Sequence, residues 1–117
     1  MVKATFDEAI EVYKKAIAID PNERNANFNI GAIYVNRAVD MNQTMSALDM
    51  KQQAEYDRLK AEKLEYLKKS LPYLEKAAQM DKKPDAQVIR TLYSVTLELG
   101  MAEKATEYKK QLDALSK

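Results

Sequence analysis

Cysteine, histidine and tryptophan are all missing from the 117 residues. Their absence excludes disulfides, zinc sites built on Cys or His, thiol nucleophiles, and every triad or proton shuttle that relies on imidazole. Two glycines and three prolines are too few for an all-β chain, which needs a turn about every ten residues. Gly31 and Gly100 also cannot supply a glycine-rich phosphate loop. Charge of one sign is lacking: 19 basic and 18 acidic side chains leave a formal +1, which gives nucleic acid or an anionic membrane no field to feel. No nucleic-acid partner and no membrane insertion are expected. No apolar run approaches ~18 residues, and the N-terminus turns acidic within Phe6-Asp7-Glu8. The expectation is a soluble chain, cytoplasmic or, if a leader has been removed, periplasmic.

What is present is 46% apolar and 32% charged residues, the composition of packed amphipathic helices. A single all-α domain over residues 1–117 follows, of about five helices. Apolar groups at Phe6, Ala9, Ile10, Tyr13, Ala16 and Ile17 recur on one helical face and predict a first helix over about 4–19. Pro21 stops it, because proline drives Asp20 out of the α region. A second helix is expected from Arg24 or Asn25, carrying Phe28, Ile30, Gly31, Ile33 and Tyr34. Ser46 and Asp49 resemble a capping box that opens a third helix of more than thirty residues, ending at Met80. Pro72 inside it predicts a kink at 68–72, with Ser70 as the alternative cap of a fresh helix. Pro84 suits the first turn of a fourth helix, Gly100 its C-terminal stop, and a fifth helix follows over Ala102 to about Leu115. Short connections make these antiparallel hairpins.

Internal self-similarity then narrows the fold. Phe6-x2-Ala9-x3-Tyr13-x2-Ala16-x4-Pro21, followed by Asn27-x2-Ile30-Gly31-x2-Tyr34, resembles the tetratricopeptide repeat (TPR) family position by position. The resemblance implies antiparallel helical hairpins in a short right-handed solenoid. It divides the chain into a half repeat whose B helix is 4–19, a second repeat at 24–80, and a degenerate third repeat at 84–115. Small residues at Ala9, Ala16 and Gly31 are expected where helices cross, with Gly31 holding the first two helices close. Ala38 stands where the A helix of the second repeat normally ends, and the matching B-helix core begins at Leu67. The regular start would fall at 40, so 67 − 40 gives 27 extra residues, at about 39–66. Shared between two helices, they lengthen each by ~13 residues, or ~20 Å, and make a projecting hairpin. Leu-Pro-Tyr-Leu-Glu-Lys-Ala at 71–77 is similar to bacterial members with a lengthened hairpin.

In the third repeat Tyr93 stands in place of glycine and Lys109 in place of an aromatic, so the last helix is expected to act as a cap. In this family ligands are extended peptides held in the concave groove of the A helices. Carried over, the lining positions are Asn25, Phe28, Asn29, Ala32, Val35 and Asn36 from the second repeat, with Gln87, Arg90, Ser94, Leu97 and Glu98 from the third. Amide, aromatic and guanidinium groups suit peptide backbone and carboxylate. Asn29 takes the place of one asparagine of the family's carboxylate clamp, with Arg90 as a nearby carboxylate donor.

Met41, Met45 and Met50 gather where the hairpin turns, either as soft ligands for Cu(I) or as flexible filling of an irregular tip; no metal is assigned. Tyr56, Tyr66 and Tyr73 either anchor an interface or pack across the hairpin. The resulting expectation is a non-enzymatic module, with no catalytic residue and no cofactor, that binds a protein or peptide on its concave A-helix surface. The alternative is self-association as a homodimer or scaffold, through the uncovered face of helix one, including Val12 and Ile19, and the projecting hairpin.

Overall fold

A computed structural model describes residues 3–83 and 85–116. Five helices follow one another: α1 (Lys3–Ile19), α2 (Arg24–Ser46), α3 (Gln53–Met80), α4 (Ala86–Glu98) and α5 (Ala102–Leu115). The described residues contain no strand. Each helix packs on its neighbour in sequence, and α2 against α3 is the most extensive contact. The all-α, TPR-like arrangement of hairpins expected from the sequence is the one found. The expectation for Pro84 lies outside the described residues.

Local chemistry sets the ends. Glu23 caps α2, its carboxylate accepting from the Asn25 and Ala26 amides. Asp85 caps α4 through the Gln87 amide at 2.8 Å. Gly100 adopts φ +75°, and it closes α4 with a Schellman pair: its own amide reaches Leu97 O at 3.1 Å, and the Met101 amide reaches Thr96 O at 2.9 Å.

The hairpin of α2 and α3 departs from expectation in three ways. First, Ser46 does not open α3 but closes α2. Side-chain bonds instead brace the turn ahead of α3, where the Lys51 amide reaches Asp49 Oδ1 at 2.9 Å and the Asp49 amide reaches Gln52 Oε1 at 3.0 Å, while Gln52, the N-cap of α3, makes no side-chain cap bond. Second, the lengthening is unequal. Beyond Ala38, α2 continues to Ser46, about 12 Å, whereas α3 runs from Gln53 to Leu67, about 21 Å. A six-residue turn, 47–52, takes up the rest. Third, α3 is one helix across Pro72, at 28 residues rather than more than thirty. Ser70 is buried in mid-helix and donates to Leu67 O at 2.7 Å, so it caps nothing.

Three clusters form the core. Ala38, Leu67, Leu71, Leu74, Val88, Ile89, Leu92 and Val95 join α2, α3 and α4. Phe6 and Ile10 of α1 pack with Ile30 and Tyr34 of α2. The Phe6 ring meets those of Tyr34 and Tyr66 edge-on, both at 5.7 Å, and Tyr34 stacks on Tyr66 and Tyr73 at 6.4 and 6.3 Å. Tyr66 and Tyr73 therefore pack across the hairpin. Farther out, Met41, Met45 and Leu59 close the arm on itself. Met50 is 96% exposed at the turn, so the three methionines do not share one site.

Gly31 is buried, but its close neighbour is not α1. A Cβ there would lie 2.6 Å from Leu74 Cγ and 2.7 Å from Leu74 Cδ2. The missing side chain thus admits α3, and the expectation that Gly31 brings α1 against α2 is corrected. Contact with α1 is made instead by Ile30, Ile33 and Tyr34, large residues that need no glycine. Ala9 and Ala16 are only half-buried, on the edge of α1. Gly31→Leu should lower stability by about 1–3 kcal/mol through overpacking. Leu74→Ala in the same chain should recover part of that loss in thermal melts, whereas additive losses would contradict the contact.

Candidate functional site

The first residue of α2 organises the surface most suited to a ligand. Arg24 is bidentate to Asp81, the C-cap of α3, with Nε at 2.8 Å from Oδ1 and Nη2 at 3.2 Å from Oδ2. Nη2 also reaches Oδ2 of Asp85, the N-cap of α4, at 3.2 Å. The guanidinium lies 5.2 Å from the centre of the Phe28 ring, and Nη1 donates to Asn25 Oδ1 at 3.2 Å. Hydrogen bonding to Asp81, opposed by partial burial, raises the Arg24 pKa above its ordinary value, so this cation is permanent. The C-terminal end of α3 favours the same positive charge. One side chain therefore joins three helix ends.

This joint ties the start of α2 to the start of α4. Because α3 runs back between them, both leave the joint in the same direction. Buried Asn27 stiffens it further, donating from Nδ2 to Glu23 O at 2.8 Å and Pro21 O at 3.3 Å.

The expected lining positions separate into two groups. Asn25 and Asn36 are exposed and Asn29 and Ala32 half-exposed, at the i, i+4, i+7, i+11 spacing of one stripe on α2. Gln87, Arg90, Ser94 and Leu97 are all exposed on α4, at the i, i+3, i+7, i+10 spacing of a second stripe, and Leu97 remains 57% accessible. Phe28 and Val35 lie apart from the first stripe. Both pack against the core shared by α2, α3 and α4, and the Phe28 face is covered by Arg24.

The electrostatics of the two stripes are simple. Amides dominate α2, and Arg90 on α4 has no ion pair among the described residues. Glu98, at the far end, is held by Lys63 of α3 at 2.7 Å. Val39, 54% exposed, continues the α2 stripe past Asn36 and was missed by the family spacing, although extending the same interval would have found it. Arg24, Asp81 and Asp85 carry no local sequence signal, since the partners are 57 and 61 positions away.

Elsewhere the arm, passing the end of α4, leaves a groove of about 560 Å³ lined by Tyr56, Lys60, Leu64 and Leu99. Where α5 meets α3, Glu75 Oε2 accepts from Lys104 Nζ at 3.1 Å and from the Tyr108 hydroxyl at 3.4 Å. Burial, with Glu75 adding to it, pushes the Tyr108 phenol up to about 12, so that hydroxyl stays protonated and serves as a fastener. Among the described residues no three or more His, Cys, Asp or Glu groups gather to hold a metal ion, and no helix is long and apolar enough to cross a membrane.

Comparison with known proteins gives one match. A family model described as TPR repeat covers residues 5–36, which span α1 and the first half of α2. No curated protein and no solved structure matches the chain.

Replacing Arg24 by alanine should cost about 1–2 kcal/mol, since the charge-assisted contacts to Asp81 and Asp85 are lost at a partly screened site. Chemical denaturation of the variant is the check. A midpoint equal to that of the wild type would remove Arg24 from its role as the joint.

Proposed function

A chain whose residues 5–36 match the TPR repeat model is a member of the tetratricopeptide repeat family, and on that premise we propose that its two outward stripes form one surface that holds an extended segment of a protein partner. TPR repeats are protein–protein interaction modules. In this reading α1 is the second helix of a half repeat, α2 and α3 are a repeat enlarged by the arm, and α4 and α5 are a shorter third repeat that ends the stack.

The observation that carries the reading is the joint at Arg24. It ties the start of α2 to the start of α4, and it leaves Asn25, Asn29, Ala32 and Asn36 on α2 and Gln87, Arg90, Ser94 and Leu97 on α4 exposed or half-exposed. Asparagine and glutamine each offer a donor and an acceptor, which matches the alternating amide and carbonyl of an extended backbone. Arg90 supplies a fork for a carboxylate, from an acidic side chain or a chain end. Ala32, Val39 and Leu97 give shallow apolar ground between the polar groups. No bond-making chemistry is assigned to this surface, and the module acts by holding.

Affinity capture from a native lysate tests it, with wild type beside an Asn29→Ala/Arg90→Ala double variant of unchanged melting temperature. The expected result is a partner set retained by the wild type and lost or weakened at least about tenfold in the double variant, the effect of removing a hydrogen bond and a charged contact. An identical partner set from both proteins would place the binding surface elsewhere.

A further inference from the structure

The exposed faces of α1 and α5 differ in chemistry. On α5 the exposed side chains include Glu103, Thr106, Glu107, Lys110 and Asp113, a polar face that needs no neighbour. On α1 the face turned away from α2 carries Val12, 64% exposed, and Ile19, 88% exposed, with half-buried Ala9 and Ala16 beside them. Glu8 and Lys15, both exposed, flank this apolar stripe, and with Glu11 and Val12 they line a shallow depression.

The order of these residues is self-complementary. At about 100° per residue Glu8 and Lys15 fall on one side of Val12, and Ala9 and Ala16 on the other. Glu8 lies four positions before Val12 and Lys15 three after it. A two-fold axis beside Val12, with the helices antiparallel, therefore sets Glu8 of one copy level with Lys15 of the other to within about 1.5 Å along the helix. The same operation brings Ala9 level with Ala16 of the other copy, small against small, and Val12 onto Val12. A parallel pair would instead carry the charged edge of each copy to opposite sides of the seam, where Glu8 and Lys15 face Ala9 and Ala16 and form no ion pair across it.

We propose that α1 is a homodimer interface, pairing antiparallel with α1 of a second copy about a two-fold axis at Val12, with Glu8 and Lys15 exchanging ion pairs across it. The isologous symmetry repeats each contact twice. The stripes proposed for partner binding lie on α2 and α4, so the dimer leaves them open and carries two of them. One helix face per copy is a small interface, and the dimer is accordingly weak and concentration-dependent.

Sedimentation equilibrium of the full chain over a range of concentrations, at low and high salt, is the test. The wild type should show a reversible monomer–dimer equilibrium that weakens with salt. Glu8→Lys and Lys15→Glu, each alone, turn two ion pairs into two repulsions and should raise the dissociation constant roughly tenfold or more. The combined E8K/K15E chain restores opposite charges across the axis and should return towards the wild-type value. Both substituted positions are exposed, so circular dichroism should report the same fold in all three variants. A monomer at the highest concentration overturns the proposal, and so does a dimer that ignores the reversals or is not rescued by the swap.

Discussion

The seating of Leu74 against Gly31 sets the distance between α2 and α3, and most of the remaining structure is placed by that distance. A glycine on α2 lets a fully buried leucine of α3 approach where any Cβ would collide. With the two axes this close, Tyr34 can stack on both Tyr66 and Tyr73, and Phe6 of α1 closes the aromatic group from outside. On the other flank the same pair presents Leu67, Leu71 and Leu74 to α4. The Arg24 joint then has both its acids within reach, because the end of α3 has been brought beside the start of α2. The outward stripes are what is left after these faces are buried.

The arm and the free face of α1 are additions to that frame. The arm has a small core of its own in Met41, Met45 and Leu59, and Lys63 ties it to Glu98 at the end of α4. The exposed face of α5 is largely polar, whereas that of α1 carries Val12 and Ile19. If α1 pairs as proposed, the dimer presents the proposed ligand surface twice. Two surfaces on one body raise the effective concentration of the second contact, which favours partners with paired or repeated segments.

Much of this was legible in the sequence for local reasons. Pro21 and Gly100 each impose a backbone state that ends a helix, and both ends were found where those residues put them. The spacing of Phe6, Ile10, Tyr13 and Ile17 marked the buried face of α1 correctly. Features set by tertiary contact were not legible. Gly31 announces a close approach, but its neighbour depends on which helix arrives, and Leu74 is 43 positions away. The expected box at Ser46 and Asp49 did not form, because the reciprocal bond needs a side chain long enough to reach back to the cap amide and aspartate is short; the bonds of Asp49 and Gln52 belong to the turn ahead of α3. In the proposed surface the lining positions carried over from the family fell on exposed positions of α4 but also took in Phe28 and Val35, since family spacing does not reveal that Arg24 and the shared core claim those two.

Native-state hydrogen exchange reports directly whether the α2–α3 contact is the element on which the others rest. If Leu74 against Gly31 holds the frame, the amides of Gly31, Ile33 and Tyr34 and those of Tyr73 and Leu74 should open only with global unfolding, while the amides of α1 and of the turn at 47–52 open at lower free energy. Exchange around Gly31 and Leu74 as fast as in that turn, with α1 the slowest segment, would contradict the account.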